Sequence, residues 1–332
     1  MNKYICVECG AMNSYGFRDN VRKYEGEGYC FELPVKEAYC KKCGATIWVD
    51  ELEKQISEKA NMIIREQRNI ISKEDIISIV DKYNASQKFI SRLLGWGEIT
   101  LTRYISGGYT PNANNSKKLR DLENPYIVQD LLYKKLIETD GEIKNEKSYY
   151  KMQGRVIEEF ELLENKYGKL YQVVDWFLAQ SSYENPMTHL ALQKLLYFSQ
   201  SWYKALNGEW LFKEDCQAWL HGAVYIDVYQ MFKKFRYSPL PQIDKESNLS
   251  DQEKKILNVV KEIYFDVYSA KGLEYICHRE KPYINAFKNG DCIGKDIIKK
   301  EEIASYYEDI VNEYGISIDH TEKIKLYLKD IV

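Results

Sequence analysis

The chain has 332 residues and a formal net charge of −3, from 47 Lys and Arg against 50 Asp and Glu. At roughly 150 residues per domain it holds two or three domains. With 45% hydrophobic and 29% charged residues it is not a disordered, charge-rich chain, and its near-neutral balance excludes a uniformly basic nucleic-acid coat while leaving room for a local basic face.

The opening MNKYICVECG has no apolar core of a secretory signal, and no apolar run approaches the ~18 residues of a membrane helix. The expectation is a reduced, cytoplasmic protein that does not engage membranes. In that compartment clustered cysteines bind metal more often than they form disulfides. Of the 8 cysteines, Cys6, Cys9, Cys30, Cys40 and Cys43 fall in the first 43 residues.

Residues 1–50 read as a small zinc-binding module with short β-like runs such as 46–49. Cys6/Cys9 and Cys40/Cys43 are two CxxC pairs, each followed by glycine (Gly10, Gly44). A CxxC turn lets two thiolates converge on one ion, and two such turns complete a tetrahedron. A glycine after the second cysteine permits positive φ and close backbone approach. The 30 residues between the pairs are expected to form a β-excursion. The alternatives, buried free thiols or a redox dithiol, fit less well, since a redox CxxC needs one pair and a thioredoxin-like context. Zn2+ is therefore expected as a structural ion with no open position. Cys30 is read as a non-ligand. Cys216, Cys277 and Cys292 are scattered and are read as core residues.

Residues 51–71 place Leu52, Ile56, Ala60, Ile63 and Ile64 at helical spacing, giving a connecting helix. Residues 72–138 read as a helix-turn-helix. Ser72 caps a first helix with Ile76, Ile77 and Val80 inward. Ser86 caps a second carrying Phe89, Ile90, Leu93 and Leu94, ended by Gly95. A third runs from about Glu98 to Ser106, with Leu101, Tyr104 and Ile105 inward. Glu98, Ile99, Thr102 and Arg103 are left outside, with Thr100 at the boundary. Between Ser86 and Arg120 stand six basic residues (Lys88, Arg92, Arg103, Lys117, Lys118, Arg120) and one acidic residue, Glu98. Short helix, glycine turn, short helix is the geometry that places a recognition helix in the major groove, and phosphates want that local charge. Arg103 suits guanine or a phosphate, and Ile99 a thymine methyl. The competing reading is a small helical domain with a solvated basic face.

The run Leu94–Tyr104 (LGWGEITLTRY) resembles the Xre-type helix-turn-helix of MqsA/YgiT-type antitoxins. That family has the same order: CxxC, about 30 residues, CxxC, connecting helix, helix-turn-helix. The resemblance covers residues 1 to about 135. It implies a structural zinc, dimerisation and repression of the chain's own operon at a palindromic operator. The family's operator-reading arginine falls on Arg103, and Ile99 stands where some members have asparagine. Glu98, Ile99, Thr100, Thr102, Arg103, Lys117 and Lys118 are the expected DNA-binding residues.

The polar stretch 139–151 is the linker candidate. From residue 152 to 332 amphipathic, aromatic-rich helices return, interrupted by a polar loop at 238–251. Leu192, Leu195, Leu196, Ser199 and Trp202 share one helical face, which predicts a mostly buried helix. No phosphate loop or nucleophile elbow appears. His189, His221, His278 and His320 are isolated from one another. A polar network that fixes packing is a better reading of His278-Arg279-Glu280 than catalysis, and Cys216 near His221 lacks any nucleophile signature.

The stretches LQKLLYF (192–198), EWLF (209–212), AWLHGAV (218–224) and Cys277–Tyr283 resemble the Panacea (SocA/GepA-like) antitoxin domain, over about residues 168–312. The family usually has Gly-Pro-Val at 222–224 and often Trp at 283. The resemblance implies a non-enzymatic domain that neutralises a toxin by direct contact. The recurrent elements mark Trp202, Tyr203, Trp219, His221 and Tyr225 as candidate partner-binding residues, in keeping with the use of Tyr and Trp as interface anchors.

The whole reads as a mainly α protein: a β-containing zinc module, a helix-turn-helix bundle and a helical Panacea-like domain with minor β. The expected function is that of a type II antitoxin, not an enzyme, which binds a cognate toxin through its C-terminal domain and represses its operon as a homodimer. A DNA-binding proteolytic adaptor that delivers a partner to a AAA+ protease is the alternative, and a zinc enzyme a third reading.

Overall fold

The computed structural model describes residues 5–12, 15–287 and 296–332. Cys292 lies outside them. The protein is mostly helical with a small N-terminal antiparallel sheet, the expected class. The chain divides into two compact units, residues 1–82 with 86–123, and residues 83–85 with 124–332.

In the first unit β1 (Tyr15–Gly26) and β2 (Tyr29–Cys40) form a long antiparallel hairpin, and β3 (Thr46–Ile47) adds to β2. Leu33, Val35 and Glu37 alternate inward along β2, the period-two signature of a strand with one covered face. That face receives α1 (Asp50–Gln67), whose Ile56 and Ala60 pack on Leu33 and Val35, with Tyr24, Phe31, Leu52 and Ile63 around them. Arg22 clamps the layer: its guanidinium donates to Glu53 at 2.7 and 2.8 Å and to Glu37 at 2.9 Å. Both carboxylates are nearly buried, so each needs this cation.

Four short helices follow: α2 (Lys73–Tyr83), α3 (Gln87–Leu93), α4 (Thr100–Ser106) and α5 (Ala113–Asp121). Ser72 and Ser86 are the caps the sequence suggests, and Asn112 is a third. Ser72 Oγ accepts from Asp75 N (3.0 Å), Ser86 Oγ from Phe89 N (3.2 Å) and Asn112 Oδ1 from Asn115 N (2.8 Å). Phe89, Ile90, Leu93 and Leu94 are all buried, as read; on α2 the inner positions are Ile76, Ile79 and Val80, with Ile77 half-buried. α4 begins at Thr100 rather than Glu98, because Thr100 N bonds to Gly97 O (3.0 Å) and closes a turn over 97–100.

The second unit contains α6 (Pro125–Glu138), α7 (Lys147–Tyr167), α8 (Lys169–Ala179), α9 (His189–Asn207), the short hairpin β4 (Gln217–Trp219) and β5 (Gly222–Val224), then α10 (Ile226–Phe232), α11 (Asp251–Val260), α12 (Ala270–Arg279), α13 (Lys281–Phe287), α14 (Lys300–Tyr314) and α15 (Ile324–Ile331). The central element is α9, buried without a break from Ala191 to Trp202 and packed by α11, α12 and α14. The expected linker 139–151 is folded within this unit: Glu142–Asn145 makes a 3₁₀ turn and α7 begins at Lys147. Ile143, Tyr149 and Met152 are buried there, so its polar composition belongs to the outward positions only. The break between units falls instead before Asn124, which caps α6 ahead of Pro125 at the first helical position.

Candidate functional site

The two cysteine turns are built alike. Gly10 N bonds to Cys6 O and Gly44 N to Cys40 O, each at 2.8 Å, while Cys6 N and Cys40 N bond to Ala11 O and Ala45 O at 2.9 and 2.8 Å. Gly10 and Gly44 have φ of 67° and 79°, the left-handed conformation that lets the chain curl around sulfur. The turns face one another: Cys6 Sγ lies 3.5 Å from Cys43 Sγ and Cys9 Sγ 3.6 Å from Cys40 Sγ. All four sulfurs fall within 4.8 Å of one another. A tetrahedral ion with metal–sulfur bonds of about 2.3 Å sets sulfur–sulfur edges of about 3.8 Å, so the quartet fits such an ion. Backbone N–H groups of Cys43 and Lys42 face Cys40 and hold its thiol down at about 7. Cys30 is exposed on the hairpin and is not part of the quartet.

On the helix-turn-helix, the recognition face follows from how α4 is seated. Leu101 is wholly buried, and its N–H donates to the buried Ser91 Oγ (3.2 Å). Gly95, with φ of 73°, ends α3, and Trp96 N returns to Ser91 O (2.8 Å). The Trp96 ring meets Tyr104 edge-on at 5.9 Å. With α4 pinned on this side, Glu98, Ile99, Thr102 and Arg103 are exposed and Thr100 half-exposed. Thr102 Oγ1 donates to Gln87 Oε1 (2.8 Å), Glu98 pairs with Lys88 (2.9 Å), and Arg103 lies 5.4 Å over the Tyr109 ring. Gln87 and Tyr109 thus join the face without a sequence signal of their own, and Lys88, counted in the basic segment, joins it through Glu98. Lys117 is exposed. Lys118 is half-buried and donates to Leu94 O (3.2 Å), at the end of α3, so its ammonium is tied into the fold.

The candidate partner residues separate sharply. Trp202 and Tyr225 are buried. Trp202 Nε1 donates to Tyr264 OH (2.8 Å) and its ring meets Tyr307 edge-on. These two rings are core: Trp202 because α9 is covered on every side, and Tyr225 because it packs edge-on against Phe212 beside α9, its N–H donating to Gln193 Oε1 (2.8 Å). Tyr203 and Trp219 are half-buried and His221 is exposed.

Several buried polar groups fix the second unit. Glu280 is fully buried and accepts from the hydroxyls of Tyr197 (2.8 Å), Tyr307 (2.9 Å) and Tyr327 (3.0 Å); burial raises its carboxyl from 4.5 to about 7. The network expected at His278-Arg279-Glu280 forms through Glu280 and the three tyrosines, without His278; a separate pair joins Nδ1 of the exposed His221 to Glu274 Oε1, 3.1 Å apart. Lys194 is also buried, donates to Ala223 O (2.8 Å), and is lowered by burial to about 8. Gly222 makes room for it: φ is 92°, and a Cβ there would meet Lys194 Cε at 2.5 Å. Burial pushes the thiols of Cys216 and Cys277 up to about 12, so both stay protonated at neutral pH and act as small core residues.

No described helix is long and apolar enough to cross a membrane. Residues 4–131 match the family model described as "Antitoxin component of bacterial toxin-antitoxin system, MqsA", and residues 192–284 match "Antitoxin SocA-like, Panacea domain". No curated protein and no solved structure is significantly similar to the chain. Both matching models describe antitoxins, and together they support an antitoxin role.

Proposed function

We propose that this chain, an MqsA-type segment joined to a SocA-like Panacea segment, is an antitoxin with two working ends. The first unit represses the chain's own operon, and the second sequesters a cognate toxin by contact rather than chemistry. The observation that carries the first half is the seating of α4: Leu101 and Ser91 hold one side in the core, while Ile99, Thr102 and Arg103 stand free. A side chain of arginine's length and fork geometry on that side suits a guanine edge or a phosphate. Two copies on a palindromic operator would present the helix twice, one helical turn apart. Cys6, Cys9, Cys40 and Cys43 would hold Zn2+, a structural ion that cross-links the two turns at the base of the hairpin and supplies no catalysis. The toxin is read by the second unit, which works in the cytoplasm.

An electrophoretic mobility shift on the chain's own promoter tests this reading. The wild type shifts the fragment; Arg103→Ala, whose side chain is solvent-facing, keeps its fold and shifts it only at higher protein concentration. A wild-type protein that leaves the promoter unshifted at low salt refutes autoregulation.

A further inference from the structure

An open pocket in the second unit lies where the β4–β5 turn meets α12 and α13. Along α12, Lys271, Glu274 and His278 follow at spacings of three and four and so share one side. Glu274 accepts from Lys271 Nζ (2.6 Å) and meets His221 Nδ1 (3.1 Å), which ties the turn to α12. Tyr283 OH donates to Trp219 O (2.7 Å), which ties the same turn to α13. The space left has a volume of about 430 Å³ and is lined by Leu220, His278, Tyr283, Ile284 and Phe287.

Three features set this pocket apart. First, its walls are rings: His278 stacks on Tyr283 (4.7 Å, 11°) and Tyr283 on Phe287 (5.4 Å, 14°). Second, its rim is apolar yet open to solvent, with Leu220 62% and Ile284 40% exposed. Among the described residues His278 Nε2 is buried with no hydrogen-bond partner, a costly arrangement that an incoming polar group would relieve. Third, two exposed cations, Arg279 at the end of α12 and Lys281 at the start of α13, stand beside it, while Lys271 is paired with Glu274 (2.6 Å) and Glu280 is buried in the core. Nearby Glu302 reaches Asn285 and is shared with Lys299. Lys281 and Ile284 are three apart on α13 and share a side.

We propose that this pocket is where the second unit captures its toxin, taking one large apolar side chain of the toxin flanked by carboxylates that meet the cationic rim. The inference rests on the toxin-neutralising reading above and gives it a location. An apolar anchor in a ring-lined pocket with opposite charge around it is the usual anatomy of an interface hot spot. Of the five sequence-marked residues, only Trp219 and His221 adjoin it, and both hold its wall rather than line it.

The test uses the full-length chain and, as probe, the purified product of the neighbouring reading frame, by titration calorimetry and growth rescue. Leu220→Ser with Ile284→Ser removes the apolar rim, and Lys281→Glu reverses one rim charge; all three positions are exposed, so the fold is retained, which thermal melting and promoter binding check. The double variant is expected to lose affinity at least 100-fold, and Lys281→Glu about 10-fold with the loss shrinking at high salt. If the wild type binds and rescues while both variants do so equally well, the pocket is not the interface and toxin neutralisation stands. If the variants instead change the protein's own oligomeric state with the probe affinity unaltered, the pocket joins two copies of this chain and the proposal is overturned. If the wild type itself does not bind the probe, the neutralising reading fails and the inference falls with it.

Discussion

Replacing Glu280 by glutamine should flatten the pH dependence of the second unit. The carboxyl sits fully buried under three tyrosine hydroxyls, and burial raises it from 4.5 to about 7. A carboxyl whose folded pKa lies above its unfolded value contributes stability that is fully present below 4.5 and is lost as pH rises through about 7. At about 1.36 kcal/mol per pH unit, the part of this loss lying between pH 5 and 8 is roughly 2–3 kcal/mol. The amide of Glu280→Gln cannot titrate, and it still accepts from two of the hydroxyls and donates to the third. Urea unfolding followed by tryptophan fluorescence reads this directly, since Trp202 is bonded to Tyr264 at 2.8 Å and lies 4.8 Å from the Tyr307 ring. The variant-minus-wild-type stability should become more positive by roughly 2–3 kcal/mol from pH 5 to pH 8. Asp175, raised by burial to about 8, titrates in both proteins and cancels. A difference that is the same at both pH values would show that the three hydroxyls keep Glu280 ionised throughout, and would refute the reasoning.

Further outcomes follow from the same geometry. Ser91→Ala leaves the Leu101 N–H buried without its acceptor; thermal melting should show a loss of about 1–3 kcal/mol, and promoter affinity should fall with it. Cys40→Ser should abolish bound zinc in elemental analysis, whereas Cys30→Ser, at an exposed position outside the quartet, should keep one ion per chain. Arg103→Ala should cost about 1–3 kcal/mol of promoter binding, read from the shift in midpoint of a gel titration, while Lys118→Ala should act mainly on stability, because its ammonium bonds to Leu94 O.

Much of the first unit is legible in sequence because its determinants are local. A CxxC turn with glycine after it specifies its own backbone, and the two turns need only each other. Ser86 and Gly95 likewise declare the ends of short helices. The hairpin between the cysteine pairs is readable only as a β-excursion: most of β1 is exposed, so its Lys, Glu and Asn carry little β-propensity, and the register comes from β2 packing on α1. In the second unit the limit is tertiary. The aromatic positions 202 and 225 look the same in sequence as 203 and 219, and only tertiary packing, around α9 for the first and against Phe212 for the second, decides that these two are core. The stretch 139–151 is polar by count, yet the buried side chains at 143 and 149 anchor it, with 152 just beyond. The pocket beside the β4–β5 turn draws on residues 220, 278, 283, 284 and 287, brought together by a His–Glu pair 53 residues apart in the chain, which no periodicity reveals.

The central claim, that one chain both silences an operon and neutralises a toxin with separate units, is tested most directly by growth rescue. Cells expressing the neighbouring reading frame's product are followed with and without this protein, as wild type and as Arg103→Ala. The account predicts arrest without it, and recovery with either form, since the role proposed for Arg103 is in DNA binding alone. Cells that stay arrested in the presence of the folded wild-type protein would contradict it.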